Sequence, residues 1–126
     1  MKINALFLVL VFCLVLTACG GPVKELDEYL NLKDEIILEM DKKIEANPTE
    51  AGVDEARKVY ESKKDDLKAK CAALSGKKLS GDQTTKMMNS AVSDGKMLEL
   101  TRSKIKDIDA SLKFTKLIND FNGTCK

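Results

Sequence analysis

The amino-acid sequence predicts an all-α protein, a small up-and-down bundle of four helices in which the third helix is short. After residue 22, apolar residues recur at three- and four-residue spacing, as they do on the buried face of a helix. Signals that start or stop helices separate these stretches. Two cysteines, at positions 71 and 125, restrict how the last stretch can fold. A bundle of three helices with a long third helix is the alternative.

The first eighteen residues have the character of an export signal. Lys2 gives a basic start, and twelve apolar residues follow from Ala5 through Leu16. This run is shorter than the roughly 20 residues of a membrane-spanning helix and suits the apolar core of a secretory signal. The next residues, Leu16-Thr17-Ala18-Cys19, resemble the lipobox of bacterial lipoproteins, which signal peptidase II cleaves before the cysteine.

The lipobox resemblance implies a division of the chain and a membrane anchor. Residues 1–18 would be the signal peptide, residues 19–22 the lipidated Cys19 with a short tether, and residues 23–126 a helical bundle domain. Cys19 would carry covalent diacylglycerol and an N-linked acyl chain, and no other cofactor is expected. Because Gly20 and not Asp follows the cysteine, the resemblance implies the outer membrane, facing the periplasm. In a single-membrane bacterium it implies the outer face of the cytoplasmic membrane.

The first two predicted helices are separated by Asn47-Pro48-Thr49-Glu50. Asn47 is predicted to be the N-cap of the second helix, with Pro48 at its first position and Glu50 as the capping-box acid. Ser75-Gly76 is predicted to end that helix. The first helix has a stripe made of Val23, Leu26, Leu30, Ile37, Met40 and Ile44, with Leu32 and Leu38 off the stripe. The second has a face made of Val53, Ala56, Tyr60, Leu67, Cys71 and Leu74.

The last predicted helices depend on the cysteines. With Cys13 in the signal and Cys19 acylated, Cys71 and Cys125 form an even pair in an exported chain, which predicts one disulfide. Ser80 and Gln83 form a capping box, and no proline interrupts residues 82–121. One straight helix there would separate the cysteines far beyond the roughly 7 Å that a disulfide allows. A reversal at residues 93–95 is therefore predicted, between helices at 82–93 and 96–121; free thiols are the alternative.

Composition restricts the chemistry that the domain can perform. The chain has no His, and Lys+Arg and Asp+Glu balance at 21 and 20. Without a basic excess, nucleic acid is not an expected partner. Without His or a serine-nucleophile motif, no catalytic residue is expected and the protein is not expected to be an enzyme. No metal site is expected either: the calcium-loop-like Asp107-x-Asp109 lacks its glycine and its final acid.

The last predicted helix has two apolar groups on different faces. Met97, Leu98, Ile105, Ile108 and Leu112 share one face. A second face is a candidate partner-binding patch made of Phe114, Leu117, Ile118 and Phe121. These four either cap the core at the bundle end or remain exposed for a partner or the membrane. Opposite net charges on residues 23–46 and 95–126 favour placing the first and last helices side by side.

Together these features predict a non-catalytic, membrane-anchored envelope lipoprotein that binds or stabilises another envelope component at the membrane surface. The expected partners are the membrane, through the lipid anchor, and an envelope protein or a second copy of the chain. The alternative is a helical module that binds a small apolar molecule or lipid in a cavity lined by methionines.

Overall fold

The protein, in a computed structural model that describes residues 5–126 with side chains from Lys24 onward, contains four helices. They are α1 (Ala5–Ala46), α2 (Glu50–Leu74), α3 (Gly81–Ser103) and α4 (Ile108–Asn122). The described residues contain no strand, so the predicted all-α bundle of four helices is confirmed. The expected signal peptide, Cys19 and the tether of residues 19–22 lie outside the residues whose side chains are described. Among the described residues, no helix is long and apolar enough to cross a membrane.

The chain direction alternates from helix to helix. Lys70 and Lys63 of α2 contact Glu28 and Glu39 of α1 at 3.6 Å and 3.2 Å, so these two helices are antiparallel. Contacts between α3 and α1 follow the same order along both helices: Lys86 meets Asp27, and further along, Lys104 meets Asp41. Helix α3 therefore runs parallel to α1, and α4 returns beside α2, where Lys113 meets Asp54 and Arg57 meets Asp120.

The packing order around the bundle is α1, α2, α4, α3, with α1 and α4 on one diagonal. The prediction that the first and last helices lie side by side is therefore wrong. The acids of α1 instead pair with lysines of its two real neighbours, for example Glu28 with Lys70 of α2 and Asp27 with Lys86 of α3. Net charge is a weak guide because each surface ion pair contributes only a few tenths of a kcal/mol.

Helices α1, α2 and α4 supply almost all of the apolar core. The fully buried side chains include Ile36, Met40, Ile44, Val53, Tyr60, Leu67, Phe114 and Leu117. Leu32, expected off the stripe, is also buried in this cluster. Helix α3 adds one buried apolar side chain, Leu98, and the half-buried Met97, and it also meets α1 through polar groups. The Tyr60 hydroxyl lies 2.7 Å from that of Thr124, which ties the C-terminal turn to α2.

The start of α2 differs from the prediction, whereas the start of α3 confirms it. Thr49, not Asn47, is the N-cap of α2, and its carbonyl accepts from the Val53 amide at 3.0 Å. The Asn47 side chain instead accepts from the Thr49 hydroxyl at 2.7 Å. At α3, the Ser80 hydroxyl accepts from the Gln83 amide at 3.2 Å, and the Gln83 side chain accepts from the Ser80 amide at 2.8 Å.

The predicted reversal at residues 93–95 is wrong. Helix α3 continues through them to Ser103, and the chain reverses at residues 104–107. The fourth helix, with 15 residues, is therefore the short one, and the third has 23. Asp94 lies inside α3 because its carboxylate pairs with the Lys33 ammonium at 2.7 Å. Asp107 starts α4 by accepting from the Ala110 amide at 2.8 Å, a capping contact that makes the new start favourable.

The two cysteines of the domain are brought together as predicted. Cys71 and Cys125 form a disulfide with their Cα atoms 5.7 Å apart, within the usual range for such a bond. The short α4 brings the tail back to this level of α2, so the cysteine constraint is satisfied by a later reversal than the sequence predicted. The bond closes a loop with a sequence separation of 54 residues.

Candidate functional site

The predicted partner-binding patch is not on the surface. Phe114 and Leu117 are fully buried, Phe121 is 5% exposed, and Ile118 is half-buried against the core. The patch prediction is therefore wrong. It assumed one continuous helix over residues 96–121, whereas the break at 104–107 changes the rotation of α4 relative to α3. Since the phase of the helix changes at the break, the second apolar group becomes the buried face.

The same change of phase exposes two residues of the first apolar group, which the sequence pattern places on one face with Met97, Leu98 and Ile105. Ile108 is 75% exposed and Leu112 is 65% exposed. They are separated by four residues in α4, so their side chains are neighbours on the outer side of the helix. Both lie at the end of the bundle where α1 finishes and α2 begins, far from Lys24. We call Ile108 and Leu112 the distal apolar pair.

A signal for this pair is present in the sequence from residue 107 onward. Asp107 is a good N-cap residue, and the spacing of Phe114, Leu117 and Phe121 defines one face of a helix starting there. Ile108 and Leu112 fall on the other side of that helix. The outward position of Ile108 and Leu112 follows from the sequence only if the helix starts at Asp107.

Three carboxylates lie together beside the distal apolar pair. Glu50, Asp107 and Asp109 have oxygens within 4.8 Å of one another, and all three residues are exposed. Each has a local reason to be there: Asp107 caps α4, and Glu50 and Asp109 lie in the first turns of α2 and α4, where acids are favoured. Lys113 also contacts Glu50 at 3.5 Å. We therefore interpret the three acids as helix-start residues that give the distal apolar pair a polar border.

A second feature is a groove of about 400 Å³ between the second half of α3 and the last turns of α4, beside Lys33 of α1. Its floor is the ion pair between Lys33 and Asp94, whose side chains are 13% and 11% exposed. The Lys33 ammonium also lies 5.4 Å from the centre of the Tyr29 ring, a cation–π distance. Glu99 and Arg102 add two more charges to the lining. Four charged groups make this groove a poor match for an apolar ligand.

The ion pair in the groove continues into a polar interface between α1 and α3. At Asp34, burial and the neighbouring negative charge of Asp94 raise the pKa of the carboxyl group, and Lys33 opposes them only in part. At Asp41, burial would raise the pKa, but hydrogen bonds from Lys104 and Thr101 outweigh it and hold the pKa below its ordinary value. The ionised Asp41 carboxylate therefore stabilises the interface between α1 and α3, whereas the ionised Asp34 carboxylate opposes it.

The methionines do not share a cavity in the described part of the chain. Met40 is fully buried in the core, Met97 is half-buried against it, and Met88 is 64% exposed on α3. They lie in three different environments. This arrangement gives no support to the alternative of a methionine-lined cavity for a lipid or another apolar molecule.

Comparison with known proteins gives no match: no protein-family model, curated protein or solved structure is similar to this chain. The basis for assigning a function is therefore the set of residues and contacts described above, together with the N-terminal sequence pattern.

Proposed function

We propose that this protein is a non-catalytic lipoprotein, anchored in the bacterial envelope through Cys19, that binds or stabilises another envelope component at the membrane surface. The observation that carries the proposal is the distal apolar pair, Ile108 and Leu112, at the end of the bundle opposite Lys24. Isolated exposed leucines are ordinary on protein surfaces. Two large aliphatic side chains on adjacent turns with a polar border have the composition of a small protein-binding site.

The N-terminal sequence supports the anchoring part of the proposal. A basic start, a run of twelve apolar residues and the lipobox-like Leu16-Thr17-Ala18-Cys19 occur in the order that bacterial lipoproteins have. Two or three acyl chains on Cys19 would make attachment effectively stable. The absence of His in the sequence supports the non-catalytic part, since His is the commonest general base.

The position of the distal apolar pair suits a partner that lies away from the lipid headgroups. From Lys24 to Ala46, α1 rises about 33 Å at 1.5 Å per residue. The distal apolar pair lies near the far end of that rise, because Asp107 and Glu50 lie together there. The partner would present an apolar side chain to Ile108 and Leu112, with donor groups for the carboxylates beside them.

The proposal is tested by crosslinking the full-length protein in native membranes and comparing three variants. Ile108→Asp and Leu112→Asp should each remove the crosslinked partner, because a charge in the contact would have to be desolvated. Leu100→Asp is the matched control, since Leu100 is a leucine of similar exposure, 61%, on the neighbouring helix. If the same partners are captured by all three variants, the distal apolar pair is not the binding site. Loss of the Cys19→Ser variant from the membrane fraction would support membrane attachment through Cys19.

A further inference from the structure

The groove between α3 and α4 has walls that come from three helices. One wall is a stripe of α3 made of Ala91, Gly95, Leu98 and Arg102. Ile118 and Asn122 of α4 lie on the other side, and Lys33 of α1 lies at the floor. Its volume of about 400 Å³ is within the range of roughly 300–1,000 Å³ that small-molecule sites have. We call it the α3–α4 groove.

The four charged groups of the α3–α4 groove differ in whether they have a partner. The Lys33 ammonium and the Asp94 carboxylate neutralise each other at 2.7 Å. Glu99 and Arg102 are exposed, and within the described part of the chain neither side chain forms an ion pair. They are three residues apart on α3, so their side chains are neighbours on the helix surface. The groove therefore has a free carboxylate and a free guanidinium side by side, next to a neutral floor.

An apolar surface and open space lie beside these two charges. Leu98 is one turn before Arg102, and it lines the groove together with Ile118 of α4. Leu98 is almost fully buried and Ile118 is half-buried. Nothing lies within 4 Å of where a Cβ on Gly95 would be, so the groove is open at this position. A short aliphatic chain placed there would cover the exposed parts of Leu98 and Ile118.

We propose that the α3–α4 groove binds an α-amino acid with an aliphatic side chain, such as leucine. The ammonium group of the ligand pairs with the Glu99 carboxylate. Its carboxylate pairs with the Arg102 guanidinium, which can donate two parallel N–H···O bonds to one carboxylate. The aliphatic side chain lies along Leu98 into the space beside Gly95. Because the ligand is a zwitterion, both free charges of the groove gain a partner and none is left buried and unpaired.

A zwitterionic lipid headgroup has related chemistry, and the position of the groove favours an amino acid from solution. Helix α3 contacts Lys33 of α1 before the position of Glu99 and contacts Asp41 after it. Lys33 and Asp41 are about 14 Å and 26 Å along α1 from Lys24, at 1.5 Å per residue. If the chain is anchored through Cys19 as proposed, the headgroups lie beyond Lys24. A lipid would then have to leave the bilayer to reach Glu99, whereas a free amino acid would not.

The test is isothermal titration calorimetry of the full-length lipidated protein, in micelles of a non-ionic detergent, with leucine as the probe. Saturable binding of one leucine per chain is expected. Leucinamide lacks the carboxylate and N-acetylleucine lacks the ammonium group. Each should bind about ten times more weakly or less, because each leaves Arg102 or Glu99 without its partner. Glycine should also bind more weakly than leucine, because it has no aliphatic side chain to cover Leu98 and Ile118.

Two substitutions, each with a matched control, distinguish the groove from the rest of the surface. Arg102→Gln should weaken leucine binding about tenfold or more, whereas Lys106→Gln, at an exposed residue outside the groove, should not. Gly95→Leu should abolish binding, because the new side chain fills the groove. Gly81→Leu should leave binding unchanged, since Gly81 also has open space around it but lies outside the groove. Circular dichroism of each variant shows whether the bundle is folded.

Three outcomes would overturn the inference. The first is the lack of saturable leucine binding, or equal binding of leucine, leucinamide and N-acetylleucine. The second is leucine binding that survives both Arg102→Gln and Gly95→Leu, since leucine would then occupy another site. The third is tighter, competing binding of a water-soluble short-chain phosphatidylethanolamine, which would assign the groove to a lipid headgroup. The proposed function is measured separately, because Gly95→Leu should leave the partner crosslinked through Ile108 and Leu112 unchanged.

Discussion

At the scale of single residues, Gly52 has the tightest surroundings of the described glycines. It lies in the first turn of α2, and a Cβ placed on it would overlap the backbone carbonyl of Asn47. Gly52→Ala should therefore destabilise the protein by roughly 1–3 kcal/mol, because the turn before α2 would have to move. The free energy of unfolding in urea measures this. Gly81→Ala is the control: Gly81 has open space around it, and its replacement should be neutral or slightly stabilising.

Asp41 should contribute stability that depends on pH. Hydrogen bonds from Lys104 at 2.8 Å and Thr101 at 2.6 Å favour its ionised form in the folded state, so its pKa is lowered. That contribution is complete above the unfolded-state pKa of about 3.9 and is lost as the pH falls through the lower folded-state value. Asp41→Asn should cost roughly 1.5–3 kcal/mol at pH 7. Unfolding curves at pH 7 and pH 3 should show the cost shrinking in acid.

Replacing Asp34 should change the stability with the opposite dependence on pH. Its pKa is raised by burial and by Asp94, so the ionised form opposes folding and this penalty decreases as the pH falls through the folded-state pKa. Asp34→Asn should therefore stabilise the protein at pH 7 and lose that advantage at pH 3. A parallel pH response for Asp34→Asn and Asp41→Asn would contradict the arrangement of carboxylates between α1 and α3.

At the scale of helices, Gly95 distinguishes the observed α3 from the reversal that its sequence suggests. In the structure Gly95 is inside α3, with no left-handed backbone angle and no neighbour in its way. Gly95→Ala should therefore stabilise the protein by about 0.5–1 kcal/mol, because alanine is the better helix former. Gly76→Ala should do the opposite by a similar amount, since Gly76 has φ +76° after the end of α2. Thermal unfolding of both variants measures whether each substitution raises or lowers the stability. Destabilisation by Gly95→Ala would contradict a continuous α3.

The ends of the helices were predictable where a local chemical signal marks them. Ser80 with Gln83 begins α3 and Gly76 follows α2, both as the sequence indicates. The reversal at residues 104–107 contains neither glycine nor proline, and the triplet that looked like a turn is held in helix by the contact of Asp94 with Lys33. That contact joins residues 61 positions apart, so local sequence signals do not reveal it.

The prediction of the partner-binding patch was wrong for the same reason as the predicted reversal, because both depend on where α3 ends. Once the reversal is moved from residues 93–95 to residues 104–107, the first apolar group is divided: Leu98 and Ile105 stay in the core, and the part of the group that belongs to α4 does not. Phe114, Leu117 and Phe121 enter the core, and Ile108 and Leu112 face outward. A helical pattern predicts which residues share a face, whereas the start of the helix decides which face is buried. The division of these apolar residues between two faces was therefore predictable, and which of them would be exposed was not.

At the scale of the whole molecule, three helices share the core and the fourth is attached mainly by polar contacts. Helices α1, α2 and α4 contribute most of the buried apolar side chains, and α3 contributes Leu98. Polar contacts such as Thr101 with Asp41 orient α3 without burying much apolar surface. The position of α3 therefore depends on specific polar pairs more than on a large shared core.

The disulfide joins the end of this three-helix core to the tail of the chain. Replacing both cysteines, as Cys71→Ser with Cys125→Ser, should lower the free energy of unfolding by about 4 kcal/mol, which is the chain-entropy estimate for a loop of 54 residues. For a domain of roughly 100 residues this corresponds to a fall in Tm of about 20 °C.

Helix content should survive the double substitution at low temperature. The Tyr60 hydroxyl still meets Thr124, and Phe121 still packs edge-on against the Tyr60 ring with centroids 6.0 Å apart, so the tail keeps its place without the bond. Circular dichroism at 10 °C and through a thermal scan separates the two effects. Unchanged helix content with a lower Tm is the expected result, because the bond acts mainly by restricting the unfolded chain. Loss of helix content at 10 °C would mean that the disulfide is needed to form the bundle and does more than stabilise it.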